Sequence, residues 1–169
     1  MSVISPMQLE AFAVRTLEIA TQGLLHEAPP ADSDEEIAVS YSVLQDKSRP
    51  KFLLMLSVKV AWPAGGVSGL RGVNVSIEAV YGFPEDATEE LIESFLPVHA
   101  LANAWSTLRG VLASATGLCA SGPYSLPIVN MVQFVKDAES LDDGKAFKGT
   151  IRTGDGWPAR HSMNEQQGK

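Results

Sequence analysis

His26, His99 and His161 are the side chains whose type best suits metal binding or proton transfer near neutral pH. They lie far apart in the chain, and none sits in an H-E-x-x-H or similar spacing that sets two imidazoles on one helix face. His99 reads as a helix-surface residue. Cys119 is the single cysteine, so it has no internal disulfide partner, and it reads as a small packed side chain rather than a nucleophile. Glu89, Glu90 and Glu93 are near enough for paired-carboxylate chemistry, but their spacing is that of a solvated helix face. Gly65-Gly66-Val67-Ser68-Gly69 lacks both the Gly-Lys-Ser/Thr ending and the G-x-G-x-x-G order of phosphate-binding loops, and reads as a hairpin connection. No G-x-S-x-G nucleophile pattern occurs, and Asn74-Val75-Ser76, a glycosylation sequon by type, falls inside a strand pattern. These residues lead us to expect a protein that is not an enzyme, with no catalytic residue, no metal site and no cofactor.

The elements around them carry clearer signals. Ile37, Val39, Tyr41 and Val43 alternate with Ala38, Ser40 and Ser42, the period of a half-buried strand. After the polar turn Asp46-Lys47-Ser48-Arg49-Pro50, the stretch Phe52–Trp62 alternates again, with Leu53 and Met55 adding apolar side chains to its second face. A glycine-rich link leads to a third alternating stretch, Gly72–Phe83. Three such strands joined by short links predict an antiparallel meander. Residues 9–25 are ambiguous: Leu9, Phe12, Ala13, Thr16, Leu17 and Ala20 are spaced like a helix face, while Phe12, Val14, Thr16, Leu17 and Ile19 fit a strand whose phase slips at a bulge. Ala28–Glu36, with Pro29-Pro30 and its carboxylates, is a solvated link.

Beyond Phe83 the period lengthens. Pro84-Glu85-Asp86 opens a helical segment, which Pro97 interrupts, and Val98–Leu118 continues as a long helix ending near Gly117. Leu126-Pro127-Ile128-Val129-Asn130 is expected to be extended up to its proline, and Met131–Ala138 to form a short second helix. From Glu139 the chain turns polar and glycine-bearing, with Phe147 and Trp157 its large aromatics, and reads as a mobile tail.

With 169 residues the chain fits one domain, and 45% apolar content is ordinary for a globular fold. A formal charge of −7 argues against a nucleic-acid surface, which needs clustered Lys and Arg. No uncharged apolar run reaches the roughly 18–20 residues that span a bilayer, and Met1–Leu9 lacks the basic-then-apolar order of a secretory signal, so a cytoplasmic location is expected. The long helix carries Leu101, Trp105, Leu108 and Leu112 along one side, more than one sheet is expected to cover, which points to an oligomer interface.

Two stretches resemble the SecB family of export chaperones. Trp105-Ser106-Thr107-Leu108-Arg109 is similar to the family's aromatic-Pro-x-x-Arg segment in its long helix, with Ser106 where the family has proline, which marks a divergent member. Ser125-Leu126-Pro127-Ile128-Val129-Asn130 resembles the family's extended Leu/Ala-Pro-x-x-Asn segment. The likeness spans roughly residues 9–138. It implies an α+β fold in which a four-stranded antiparallel sheet, its first strand in residues 9–25, precedes a long helix and a short second one. It makes residues 1–138 the domain and 139–169 the tail. It further implies a homotetramer, a dimer of dimers with long helices between eight-stranded sheets, that holds unfolded polypeptide without ATP. Its clients would be exported proteins or the antitoxin of a toxin–antitoxin pair, with no direct insertion into a membrane. On this reading Leu53, Met55, Leu126, Ile128 and Met131 line the client groove, and Trp105, Arg109, Leu101 and Leu112 pack the helix or the subunit interface. Glu78 on an acidic outer sheet face would dock a basic SecA-like motor. The alternative from another class is a small-ligand-binding or enzymatic α+β domain whose sheet curves around a helix to enclose a cavity.

Overall fold

Strict alternation in the middle of the chain produces the centre of the sheet. In the computed structural model, which describes residues 5–21, 35–46, 49–62, 70–119, 122–139 and 147–153, β3 (Lys51–Ala61) and β4 (Leu70–Gly82) pair antiparallel in an unbroken register. Phe52, Leu54, Leu56, Val58 and Val60 of β3 face the same way as Val73, Val75, Ile77, Ala79 and Tyr81 of β4, and all are buried. β2 (Glu35–Gln45) joins the free side of β3 and adds Ile37 and Val39 to that inner face. The Gly65–Gly69 connection, most of the Ala28–Glu36 link, His26, His161 and Trp157 lie outside the described residues.

β1 (Gln8–Thr21) pairs with β4 at the edge of the sheet, so the ambiguous amino-terminal stretch is a strand. Its register shifts between Leu9 and Ala11 and between Val14 and Thr16, which leaves Glu10 and Arg15 as extra residues. These insertions bring Leu9, Phe12, Val14, Leu17 and Ile19 opposite Tyr81, Ala79, Ile77, Val75 and Val73, all on the inner face. Each extra residue sends a charge to the outer face: Glu10 pairs with Lys51, and Arg15 with Glu78 at 2.6 Å. A Cβ at Gly82 would collide with the Glu10 side chain, so glycine there leaves room for that ion pair.

α1 (Glu89–Thr116) opens later than the sequence suggests, with Thr88 as its cap: the Thr88 hydroxyl accepts from Leu91 N at 3.3 Å, and Glu89 and Glu90 sit at the positive end of the helix dipole. Pro97 lies inside it without ending it. α1 lies on the inner face, where the Tyr81 hydroxyl is 3.0 Å from the Ala100 carbonyl and 3.1 Å from Asn103 Oδ1, sharing one proton between them. After Gly122, whose φ of 77° is the left-handed turn that glycine favours, the chain runs extended to α2 (Met131–Glu139), which packs Phe134 against Tyr41 of β2.

The carboxyl-terminal region, read as a mobile tail, contributes a fifth strand. β5 (Phe147–Thr153) pairs antiparallel with β2, giving the order β1-β4-β3-β2-β5. A strand edge offers unpaired N–H and C=O groups to any extended segment whatever its side chains, so a polar stretch can be recruited that apolar patterning does not flag. No helix of the described residues is long and apolar enough to cross a membrane.

Candidate functional site

α1 and the extended segment are tied together by hydrogen bonds in both directions. Trp105 Nε1 donates to the Pro127 carbonyl at 3.0 Å, Arg109 Nε donates to the Leu126 carbonyl at 2.8 Å, and Tyr124 N donates to Thr116 Oγ1 at 2.6 Å. Tyr124 also meets Trp62, at the end of β3, edge to face at 5.2 Å. The segment therefore lies along α1 as a strap, with Leu126 buried in the core. Leu101, Trp105, Leu108 and Leu112 are all buried within the one chain, and Arg109 is half-buried. The α1 stripe is thus covered without a second subunit: it belongs to one core shared by the sheet, the strap residue Leu126 and α2, which local periodicity cannot assemble. Leu126 and Met131 are buried in the same core rather than open to a groove, while Ile128 between them is 75% exposed.

Leu53 and Met55 are on the other side of the molecule. They lie half-buried on the outer face of β3, opposite Leu44 and Ser42 of β2 on one side and Val80 and Glu78 of β4 on the other. The five residues expected to form one groove thus fall on both faces of the sheet. Around Met55 is a shallow depression lined also by Ser42, Ser57, Ser76, Arg15 and Glu78. Thr16, Ser76, Ser57 and Ser40 are directly opposite one another across four strands, a rung of hydroxyls at mid-sheet. Leu44, Leu53, Val80 and Ala11 lie on one side of that rung, and Lys59, Asn74 and Glu18 on the other. Glu78 is held in an ion pair by Arg15, and Glu10 by Lys51, so the outer face is charge-balanced there rather than acidic.

Apolar surface that the sequence reading did not single out lies on β1. Leu9, Val14 and Leu17 are 42%, 40% and 40% exposed on the inner face, beside half-buried Phe12 and Ile19. They form a continuous strip along the sheet edge, beside the part of the sheet on which α1 packs most closely, β3 and β4. A second cluster is Ile128 with Val132 of α2, 48% exposed, next to half-buried Val129. The signal for the strip was present in Leu9–Ile19, but without the bulge positions its side chains do not sort onto one face. The space between sheet and α1 is filled by side chains of the core cluster, Leu54, Leu56, Ile77, Tyr81, Ala100 and Leu108 among them.

With this geometry in hand, the fold is similar to that of the Mycobacterium tuberculosis SecB-like chaperone Rv1957, solved in complex with a ChAD peptide from the Rv1956 HigA1 antitoxin. The TM-score is 0.55 at 17% identity, over 74% of this chain and 91% of that one. A protein of unknown function from Streptococcus agalactiae gives a TM-score of 0.37 at 10% identity, over 72% of this chain and 97% of that one. No family model matches the chain, and no curated protein matches it. The fold is therefore a SecB-like α+β fold, an antiparallel sheet followed by a long and a short helix.

Proposed function

We propose that the chain is an ATP-independent holdase that binds extended, unfolded polypeptide without changing it chemically. The observation that carries this is uncovered apolar surface outside a helix stripe that is itself fully covered. Leu9, Val14 and Leu17 on β1, and Ile128 and Val132 beside α2, stay open in a single chain. We assign the two areas different roles. A long, continuous strip suits a partner of fixed shape, so β1 is the contact between copies in a homotetramer, a dimer of dimers. The smaller cluster at Ile128 and Val132 suits clients of varied sequence. Leu53 and Met55, with Leu44 and Val80, form a further weak contact that longer clients engage at the same time, so that affinity grows by avidity.

An antitoxin segment is the client class we favour, because the SecB-like chaperone with the same fold is solved with an antitoxin peptide. Service in export with a SecA-like motor comes second, since Glu78, the acid assigned to docking, is already paired with Arg15. Both roles belong in the cytoplasm.

Burial of apolar area contributes roughly 25 cal/mol per Å², so each large client side chain adds about 1–2 kcal/mol before ordering costs. The purified protein, without nucleotide, should slow the aggregation of a chemically unfolded substrate at near-stoichiometric amounts. Ile128→Asp with Val132→Asp should abolish that protection and leave size and circular dichroism unchanged, because both side chains are exposed. A wild type that never protects would remove the holdase reading.

A further inference from the structure

Of the arginines whose side chains the structure describes, Arg15, Arg49 and Arg71 are exposed, and Arg109 alone is half-buried. Arg15 has a carboxylate, Glu78, at 2.6 Å. Arg109 has no carboxylate partner among the described residues, and the hydrogen bond it makes runs from Nε to the Leu126 carbonyl at 2.8 Å. That bond orients the guanidinium and leaves Nη1 and Nη2 without an acceptor among the described residues. A cation partly withdrawn from water and lacking a counter-ion is an unfavourable arrangement, which an incoming carboxylate relieves. The strap runs antiparallel to α1, with Tyr124 at Thr116, Leu126 at Arg109 and Pro127 at Trp105. Ile128 follows Leu126 by two residues of extended chain, a step of roughly 7 Å. It is 75% exposed, and Val132, in the first turn of α2, is 48% exposed.

We propose that Arg109 is a carboxylate-recognition site at the margin of the Ile128–Val132 surface. The clients it favours are extended segments with an Asp or Glu two residues from an aliphatic side chain. In an extended chain such residues point to the same side and stand roughly 7 Å apart, the step that separates Ile128 from the strap position Arg109 holds. With Nε engaged, the guanidinium presents Nη1 and Nη2 as a planar pair that matches the two oxygens of a carboxylate. The aliphatic contact is tolerant of sequence, while the carboxylate selects the segment and sets its register. A basic segment meets a like charge at the same point and is disfavoured there. The chain's formal charge of −7 repels acidic segments at long range, so the preference arises from this contact and not from the overall field. This inference rests on the holdase reading and adds to it the chemical class of client.

The probes are the fluorescein-labelled peptide Gly-Ser-Val-Ser-Asp-Ser-Val-Gly and its counterparts with Asn or Lys in place of Asp, with binding to the full chain read by anisotropy. Wild type should bind the Asp probe about tenfold more tightly than the Asn probe, and the Lys probe least. Added salt should shrink the ratio of Asp to Asn affinity. Arg109→Gln keeps an amide donor for the Leu126 carbonyl and removes the charge, so the Asp and Asn probes should bind it equally. Arg109→Lys keeps the charge without the fork and should retain only about a two- to threefold preference. Ile128→Ser, at an exposed position, should weaken all three probes alike and leave the ratio intact. An arginine that served only to hold the strap would likewise shift the three probes together. The proposal is overturned if wild type binds no probe, binds the Asp and Asn probes equally or prefers the Lys probe, or if the Asp preference survives Arg109→Gln. Should Arg109→Gln not fold, an undiminished preference in Arg109→Lys overturns it instead. Aggregation assays on the same proteins separate the two claims. A wild type that protects an unfolded substrate without an Asp preference removes the carboxylate site and leaves the holdase standing. An Asp preference that Arg109→Gln erases, in a protein that never protects, does the opposite.

Discussion

Arg109 donates from Nε to the carbonyl of Leu126 at 2.8 Å, joining positions 17 residues apart, and one turn earlier in α1 Trp105 makes the matching bond to Pro127. The strap that closes the hydrophobic core is thus held by donors on the helix it covers. Arg109→Met and Trp105→Phe should each lower the unfolding free energy by about 1–3 kcal/mol, the cost of leaving a carbonyl without its partner. Because both bonds hold one segment, the double variant should lose less than the sum. A urea-denaturation double-mutant cycle measures the coupling, and strict additivity would mean the two bonds act independently.

Burial within one chain changes what a charge at position 105 does. Trp105→Glu is expected to unfold the protein rather than to dissociate an oligomer, since the indole is covered by the strap and the core. On the proposed assembly, Val14→Asp with Leu17→Asp should reduce the homotetramer to smaller species while the chain stays folded. Light scattering alongside circular dichroism distinguishes the cases. If Val14→Asp with Leu17→Asp leaves the mass of a multimeric wild type unchanged, the β1 strip is not the contact between copies.

Alkaline pH provides a third check. Burial pushes the Tyr81 phenol up from 10.0 to about 12, so the folded chain keeps a proton that the unfolded chain releases. The resulting stabilisation is complete below pH 10.0 and is lost as pH climbs towards about 12. Tyr81→Phe should flatten that decline by about 1–2 kcal/mol, read as the difference in urea midpoints between the two proteins across the window. Identical pH slopes would show that Tyr81 titrates normally.

The central strands and both helices were legible because their side chains repeat with the period of the backbone. Phe52–Val60 and Val73–Tyr81 alternate without a break, and every second residue is buried. β1 was not legible from pattern alone. Its apolar residues step from Leu9 to Phe12, Val14, Leu17 and Ile19, alternating between strides of three and two because Glu10 and Arg15 are inserted. The average falls between strand and helix, and only the resemblance carried by the Trp105 and Pro127 segments favoured a strand. The candidate site was read less well. Leu126 and Met131 looked like surplus apolar side chains because nothing local shows that Trp105 and Arg109 draw the strap onto α1. β5 was missed because an edge recruits through its main chain.

The two insertions in β1 bear on solubility as well as on packing. A long edge strand with an apolar face is the kind of segment that nucleates fibrils, growing by endless addition of identical strands. At Glu10 and Arg15 the hydrogen-bonding rhythm is broken and a charge stands on the opposite face. A further strand laid along β1 would lose register within a few residues, and in a growing stack like charges would accumulate at the same two levels. The chain can therefore keep Leu9, Val14 and Leu17 open for a specific contact while its edge stays a poor seed for amyloid.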